Sequence, residues 1–234
     1  MPISDSSAPF DFAAVSSRIA EVQERIAAAT ARGGHGQPVT LVAVTKTHGP
    51  EAVEAAWRAG VADVGENRVQ EAEAKMALVT VPVRWHLIGH LQRKKAKAVT
   101  RFALVHGLDS DRLAEALDQA AQAANVMLDV LVQVNVSGED TKSGFAPHEI
   151  GETAARLLSC RHLHVMGAMT MAPFDAAESV LRSVFAGARA VRSQLQEAGH
   201  PAPWLSMGMS GDFEIAVEEG ATHVRLGTIL FGSR

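Results

Sequence analysis

A closed barrel of eight parallel strands ringed by helices is the fold this sequence predicts, and three observations lead there. From residue 39 onward, short apolar runs rich in Val, Ile and Leu alternate with stretches of helical periodicity through eight strands and seven intervening helices. Strict alternation implies a parallel sheet, and a count of eight favours closure. Polar and glycine-rich segments follow the strands, at the end where such barrels carry their sites. The first strand–helix turn, Thr45 to Pro50, lacks a G-x-G-x-x-G fingerprint, which counts against the runner-up, an open doubly wound sheet. The fold class is therefore α/β, a single (β/α)8 barrel of the TIM type with an extra N-terminal helix.

Residues 10–32 place Phe12, Val15, Ile19, Val22 and Ile26 at helical spacing, with Asp11 near the start and Gly33-Gly34 past the end as start and stop signals. Residues 33–38 form a short linker. Residues 1–38 thus read as an N-terminal helix and linker packed on the barrel, and 39–234 as the barrel, one domain overall. Strands are expected at 39–46, 62–66, 84–89, 103–108, 127–136, 164–170, 204–207 and 223–227. The helices between them are expected at 50–59, 68–78, 92–98, 111–124, 147–159, 176–198 and 211–219. The eighth strand runs into Thr228-Ile229-Leu230-Phe231 as a last turn.

The totals narrow the function classes. A chain of 234 residues with 47% hydrophobic and 21% charged residues is ordinary for a globular protein able to bury a large core. A formal net charge of −4 gives no sign of a general nucleic-acid or membrane-surface binder. The single cysteine, Cys160, excludes an intrachain disulfide and multi-cysteine metal sites, and suits a reducing compartment. The start, MPISDSSAPFDF, shows no secretory signal, and no window has the length of uncharged apolar sequence a membrane helix needs. A cytoplasmic protein is expected. There is no tyrosine.

Chemistry gathers at the strand ends. Lys46 closes the first apolar run, and lysine is among the few side chains that form a Schiff base with an aldehyde; the plain alternative is a strand ending in a solvated charge. Ser206 to Asp212 follows the seventh strand, and Arg225-Leu226-Gly227-Thr228 ends the eighth. Both segments offer glycine and hydroxyls (Ser206, Ser210, Thr228), and the loops after strands seven and eight are where barrels often bind phosphate. The last turn would add free N–H groups and a positive dipole end. An amine facing a phosphate cradle suits an aldehyde that carries a phosphate, and pyridoxal 5′-phosphate is such a molecule. Arg225, two residues before Gly227, shares a strand face with it and is a partner for the pyridine nitrogen. Arginine stays protonated, so it would leave that nitrogen unprotonated and the ring a poorer electron sink. A rim salt bridge of Arg225 with Glu66 or Asp212 is the other reading.

Six segments carry a resemblance. Leu41–Lys46 with Thr47, Gly65 to Glu71, Trp85 to Gln92, Lys142-Ser143-Gly144, Leu205 to Ser210 and Val224 to Gly232 together resemble, in collinear order from about Val39, the pyridoxal phosphate homeostasis protein family. That family resembles the barrel domain of alanine racemase, with an N-terminal helix added and without the C-terminal β-domain. The resemblance implies that Lys46 holds pyridoxal 5′-phosphate as an aldimine. It also implies that Ser206, Gly227 and Thr228 contact the phosphate with Met207 alongside, that Arg225 meets the pyridine nitrogen, and that Asn67 lies near the ring. Lys142 matches a family lysine near the site; His48 receives no role.

Other features carry less. His162 and His164 have H-x-H spacing but fall at the N-terminal end of strand six, the wrong rim, so no metal site is expected. His86 and His90 are four apart, too far to share an ion on an extended strand; His90 reads as a hydrogen-bonded structural histidine. Arg93 to Lys97 reads as a solvated helix face.

The implied function is a binding protein that holds pyridoxal phosphate, buffers the free aldehyde and delivers it to apo-enzymes in vitamin B6 homeostasis, with little or no turnover. The alternative is a racemase or decarboxylase on the same barrel, and a more distant one is a metal- or phosphosugar-handling barrel enzyme. Racemisation needs proton transfer on both faces of the cofactor. Alanine racemase, as the resemblance implies, draws a tyrosine for this from its C-terminal domain, and this sequence has none. No catalytic residue, no nucleic-acid or membrane partner and a monomer are expected.

Overall fold

The computed structural model describes residues 10–139 and 142–232. The first nine residues of the N-terminal unit, Asp140, Thr141 and the last two residues of the barrel unit lie outside the described residues. Eight parallel strands close in sequence order: β1 (Thr40–Val44), β2 (Asp63–Glu66), β3 (Arg84–Leu87), β4 (Leu104–Leu108), β5 (Leu128–Gln133), β6 (Leu163–Met169), β7 (Trp204–Ser206) and β8 (His223–Leu226), with β8 pairing back onto β1. Around them lie α2 (Pro50–Arg58), α3 (Val69–Met76), α4 (Asp111–Ala124), α5 (Ile150–Leu157), α6 (Glu178–Glu197), α7 (Phe213–Glu218) and the short α8 (Thr228–Phe231). The helix that precedes the barrel is α1 (Phe12–Gly33).

Side-chain alternation divides the strands into two faces. Leu41, Ala43, Val64, Val105, Leu205, Val224 and Leu226 join the helices in the main apolar core. The alternate positions point into the barrel, where Leu104, Leu131 and Met169 form a second, smaller cluster with Trp204 against it. Much of the remaining interior is polar yet buried: Asp63, His86, His106, Ser206, His223 and Arg225. Such groups need internal partners, because an unpaired polar atom there loses its bonds to water.

In α1 the Asp11 side chain accepts from the Ala14 N–H, and the helix stops at Gly34 in the left-handed region. Its buried stripe, Val15, Ile19, Val22, Ile26 and Ala29, follows the period of an amphipathic helix. Arg25 pairs with Glu214 and Arg32 with Glu218, both on α7, while Arg18 donates to the Leu230 carbonyl of α8. The helix thereby braces the strand β8 side of the barrel.

Two expected elements differ. The segment expected as an α-helix over 92–98 is instead a 3-10 helix, Arg93–Arg101. Its buried residues are Ala96 and Val99, and Phe102 just past its end is buried too; a buried position every third residue matches the three-residue turn of that helix. The first strand ends at Val44, so Lys46 stands in the following turn instead of on the strand. Among the described residues no helix is long and apolar enough to cross a membrane.

Candidate functional site

Strand order brings the candidate residues onto one arc of the C-terminal rim. β7, β8, β1 and β2 are successive neighbours, so the segments after them stand side by side. Lys46 is exposed in the turn after β1, and Asn67 is half-buried just past β2. Gly227 lies between β8 and α8, with Thr228 exposed as the first residue of that helix. The turns after β1 and β8 touch: the His48 and Phe231 rings are 5.3 Å apart. The loop after β7 joins them, because the Ile229 N–H of α8 donates to Ser210 Oγ at 3.4 Å.

Backbone geometry shapes that loop. Gly208 has φ of +95°, and a Cβ there would stand 2.7 Å from the Ala216 Cβ and 3.0 Å from the Phe213 Cα. Its carbonyl accepts from the Arg225 N–H at 3.0 Å, and Asp212 Oδ1 accepts from the Met209 N–H at 2.6 Å. Gly208→Ala is therefore expected to destabilise the protein by about 2 kcal/mol, from backbone strain and overpacking together; chemical denaturation measures it. Gly89 answers a second close approach, since a Cβ would come within 2.4 Å of the Asn67 carbonyl oxygen.

Arg225 is buried inside the barrel. It donates through Nη1 to Ser206 Oγ at 2.6 Å and through Nη2 to the Thr170 carbonyl at 2.9 Å. Burial lowers its pKa to about 10, against the opposing pull of Asp212, so it stays a cation at neutral pH. The rim salt bridge with Glu66 does not form, because Glu66 Oε1 is taken by Lys75 and the Thr45 hydroxyl.

Ser206 leads inward from Arg225. His106 Nδ1 lies 2.8 Å from Ser206 Oγ, His106 Nε2 lies 2.9 Å from His86 Nδ1, and His86 Nε2 lies 2.9 Å from Asp63 Oδ1. One direction of donation satisfies the string. Arginine can only donate and carboxylate can only accept, so Arg225 gives to Ser206, Ser206 to His106, His106 to His86 and His86 to Asp63. Burial, then the neighbouring His86 and Arg225, holds the His106 pKa well below its ordinary value. Burial alone would raise the Asp63 carboxyl, but hydrogen bonds from His86 and Arg84 outweigh it and hold it at about 2.

Strand order thus puts Lys46, Asn67, Gly227 and Thr228 on one arc of the rim, while Arg225, Ser206 and Met207 are buried. The Ser206 hydroxyl lies between Arg225 and His106. Met207 is fully buried in the main core, and its N–H donates to the His223 carbonyl at 3.1 Å. The hydroxyl adjoining the α8 N-terminus is that of Ser210. Lys142 Nζ donates to Glu139 at 2.7 Å and to the Met171 carbonyl at 3.4 Å, tying the loop after β5 to the one after β6. His162 and His164 sit at the opposite rim against Asp118 and Asp129, and exposed His90 pairs with Asp109. The interior string escapes sequence reading because its members lie on five strands.

Comparison with known proteins agrees with the geometry. The family model described as the alanine racemase N-terminal domain matches residues 18–234. A protein of Aquifex aeolicus named pyridoxal phosphate homeostasis protein is 41% identical over 221 residues, covering 93% of this chain and 97% of the relative. A Pseudomonas aeruginosa protein of the same name is 40% identical over 223 residues, covering 94% and 96%. The solved structure of PipY from Synechococcus elongatus with PLP bound superposes with a TM-score of 0.82 at 34% identity, covering 93% of this chain and all of that one. Matched in sequence and fold over nearly its whole length, the chain belongs to the alanine racemase N-terminal domain family and, within it, to the pyridoxal phosphate homeostasis proteins.

Proposed function

We propose that this protein holds pyridoxal 5′-phosphate at the C-terminal rim as a Schiff base on Lys46, and that it serves cofactor homeostasis by binding rather than by turnover. The observation that carries the reading is the pairing of β1 with β8. It sets an exposed lysine amine in the turn beside Gly227 and Thr228, with the buried cation Arg225 on the adjoining strand. The bound cofactor would supply an aldehyde, and Lys46 would supply the amine able to condense with it with loss of water. Thr228, Gly227 and Ser210 would hold the phosphate, and Asn67 would lie by the ring. Ser206 enters this reading through Arg225, whose guanidinium it holds, and Met207 through the shape of its loop.

Two features favour holding over catalysis. Arg225 cannot give up a proton at neutral pH, so a pyridine nitrogen against it stays unprotonated and the ring is a weak electron sink. The sequence contains no tyrosine to act as a second acid–base group opposite Lys46. The relatives' names and the PLP-bound cyanobacterial structure support the same reading. Its extension is a monomer in the cytoplasm that passes the cofactor to apo-enzymes.

Equilibrium dialysis against pyridoxal 5′-phosphate should give one equivalent per chain and a coloured band that borohydride bleaches. Incubation with a panel of amino acids in D2O should give no multiple-turnover exchange at the α-carbon. Racemisation or decarboxylation at ordinary enzymatic rates would establish the alternative, an enzyme of the alanine racemase type.

A further inference from the structure

The turn that carries Lys46 is tied down on both sides. The preceding residue, Thr45, is fully buried. Its hydroxyl donates to Glu66 Oε1 at 2.6 Å, and its carbonyl accepts from Lys75 Nζ at 2.7 Å. The following residue, Thr47, has φ of +66°, and its N–H donates to Glu71 Oε1 at 2.5 Å. Lys75 joins the two sides, donating also to Glu66 Oε1 at 2.6 Å and Glu71 Oε1 at 3.1 Å. All three of its N–H donors are thereby used.

This arrangement is expensive for a surface turn. A β-branched residue at positive φ is strained and persists only where its surroundings over-determine it. Lys75 is 5% exposed, and burying an ammonium is unfavourable without full compensation. Glu66 is fully buried, and its second oxygen, Oε2, has no hydrogen-bond partner. Attaching α3 to the barrel requires none of this, because Val69 and Ala72 already seat that helix in the main core. The three costs converge on the two residues that flank one amine.

We propose that Lys75, acting with Glu66 and Glu71, is the positioning residue for Lys46: it fixes the backbone on both sides of the amine so that the amine meets an aldehyde substrate at a set height in the barrel mouth. The inference rests on the cofactor reading above, since holding an amine in place matters only if the amine reacts.

Three variants test it, each compared with the wild-type protein: Lys75→Met removes the donors, Glu71→Gln weakens one arm, and Thr47→Gly slackens the turn while leaving Lys75 in place. The last two keep the test alive should Lys75→Met fail to fold. In the cofactor-free protein, hydrogen exchange at the amide of residue 47 should accelerate, while arylation of Lys46 by trinitrobenzenesulfonate, which attacks from solvent, should keep its rate. With pyridoxal 5′-phosphate, the rate at which a borohydride-reducible adduct forms should fall roughly tenfold or more, as misplacing a reacting group costs. Dialysis with pyridoxamine 5′-phosphate, which has no aldehyde, should show affinity within about twofold of wild type, since uniform binding is untouched. Unchanged adduct rates in Glu71→Gln and Thr47→Gly would overturn the proposal, as would parallel loss of adduct and pyridoxamine phosphate binding. A wild-type protein that forms no adduct would instead sink the cofactor reading itself.

Discussion

Lowering the pH from 7 to 5 is expected to remove about 2 kcal/mol of folding free energy through His223 alone, rising to about 3 kcal/mol by pH 4. The cause lies inside the barrel. Burial first, then the neighbouring His86, lowers the His223 pKa from 6.5 to about 4. Its Nδ1 lies 2.9 Å from the Thr222 hydroxyl, and its ring packs 5.1 Å from Trp204. The unfolded chain takes up a proton near the ordinary value, whereas the folded chain resists until about 4. The stabilisation is therefore complete above pH 6.5 and is lost as pH falls from there to 4. His106 shifts in the same direction, also first through burial, and steepens the loss. The carboxyls of Glu66 and Asp212, raised by burial, work the other way as they protonate. Urea unfolding of wild type and His223→Asn from pH 7.5 to 4.5 separates these contributions. The wild-type curve should fall faster than the variant's over this range, and parallel curves would contradict the assignment.

Replacing Lys46 with alanine should abolish covalent capture of pyridoxal 5′-phosphate while leaving the fold intact. Lys46 is exposed in its turn and contributes to none of the ion pairs among the described residues. The loss of stability should therefore stay within about 0.5 kcal/mol. The expected chemical effect is complete: no reducible adduct and no coloured band, because no other group can replace the amine. Thr228→Ala makes the contrast. It removes one hydrogen-bonding group among several, worth about 1 kcal/mol, so retention should weaken about fivefold with the adduct still forming on Lys46. Thermal or urea unfolding beside the reduction assay distinguishes a lost nucleophile from a lost fold.

The strands are legible in the sequence because parallel strands covered on both faces read as continuous apolar runs. Val39 to Lys46 is such a run, and its last two residues, Thr45 and Lys46, prove to lie past the strand end at Val44. Arg93–Arg101 is harder: its basic residues suggest a solvated α-helix, and only the three-residue repeat of Ala96, Val99 and Phe102 reveals the 3-10 turn. On the rim, Lys46, Gly227 and Thr228 are legible because each closes or follows an apolar strand run, whereas the resemblance singles out Asn67. What sequence hides is partnership. Ser206 sits in a phosphate-type loop, yet its hydroxyl bonds to His106, a hundred residues away. Lys75 is four residues from Glu71 on one helix, a spacing common to surface pairs, whereas its buried partners Thr45 and Glu66 are thirty and nine residues away.

The most direct test of the account is the site of attachment. Wild-type protein is incubated with pyridoxal 5′-phosphate, reduced with borohydride, digested and mapped by mass spectrometry. The account requires the reduced pyridoxyl phosphate mass on the peptide containing Lys46, at one group per chain. An adduct on Lys75, Lys142 or another lysine, or no adduct at all, would contradict it.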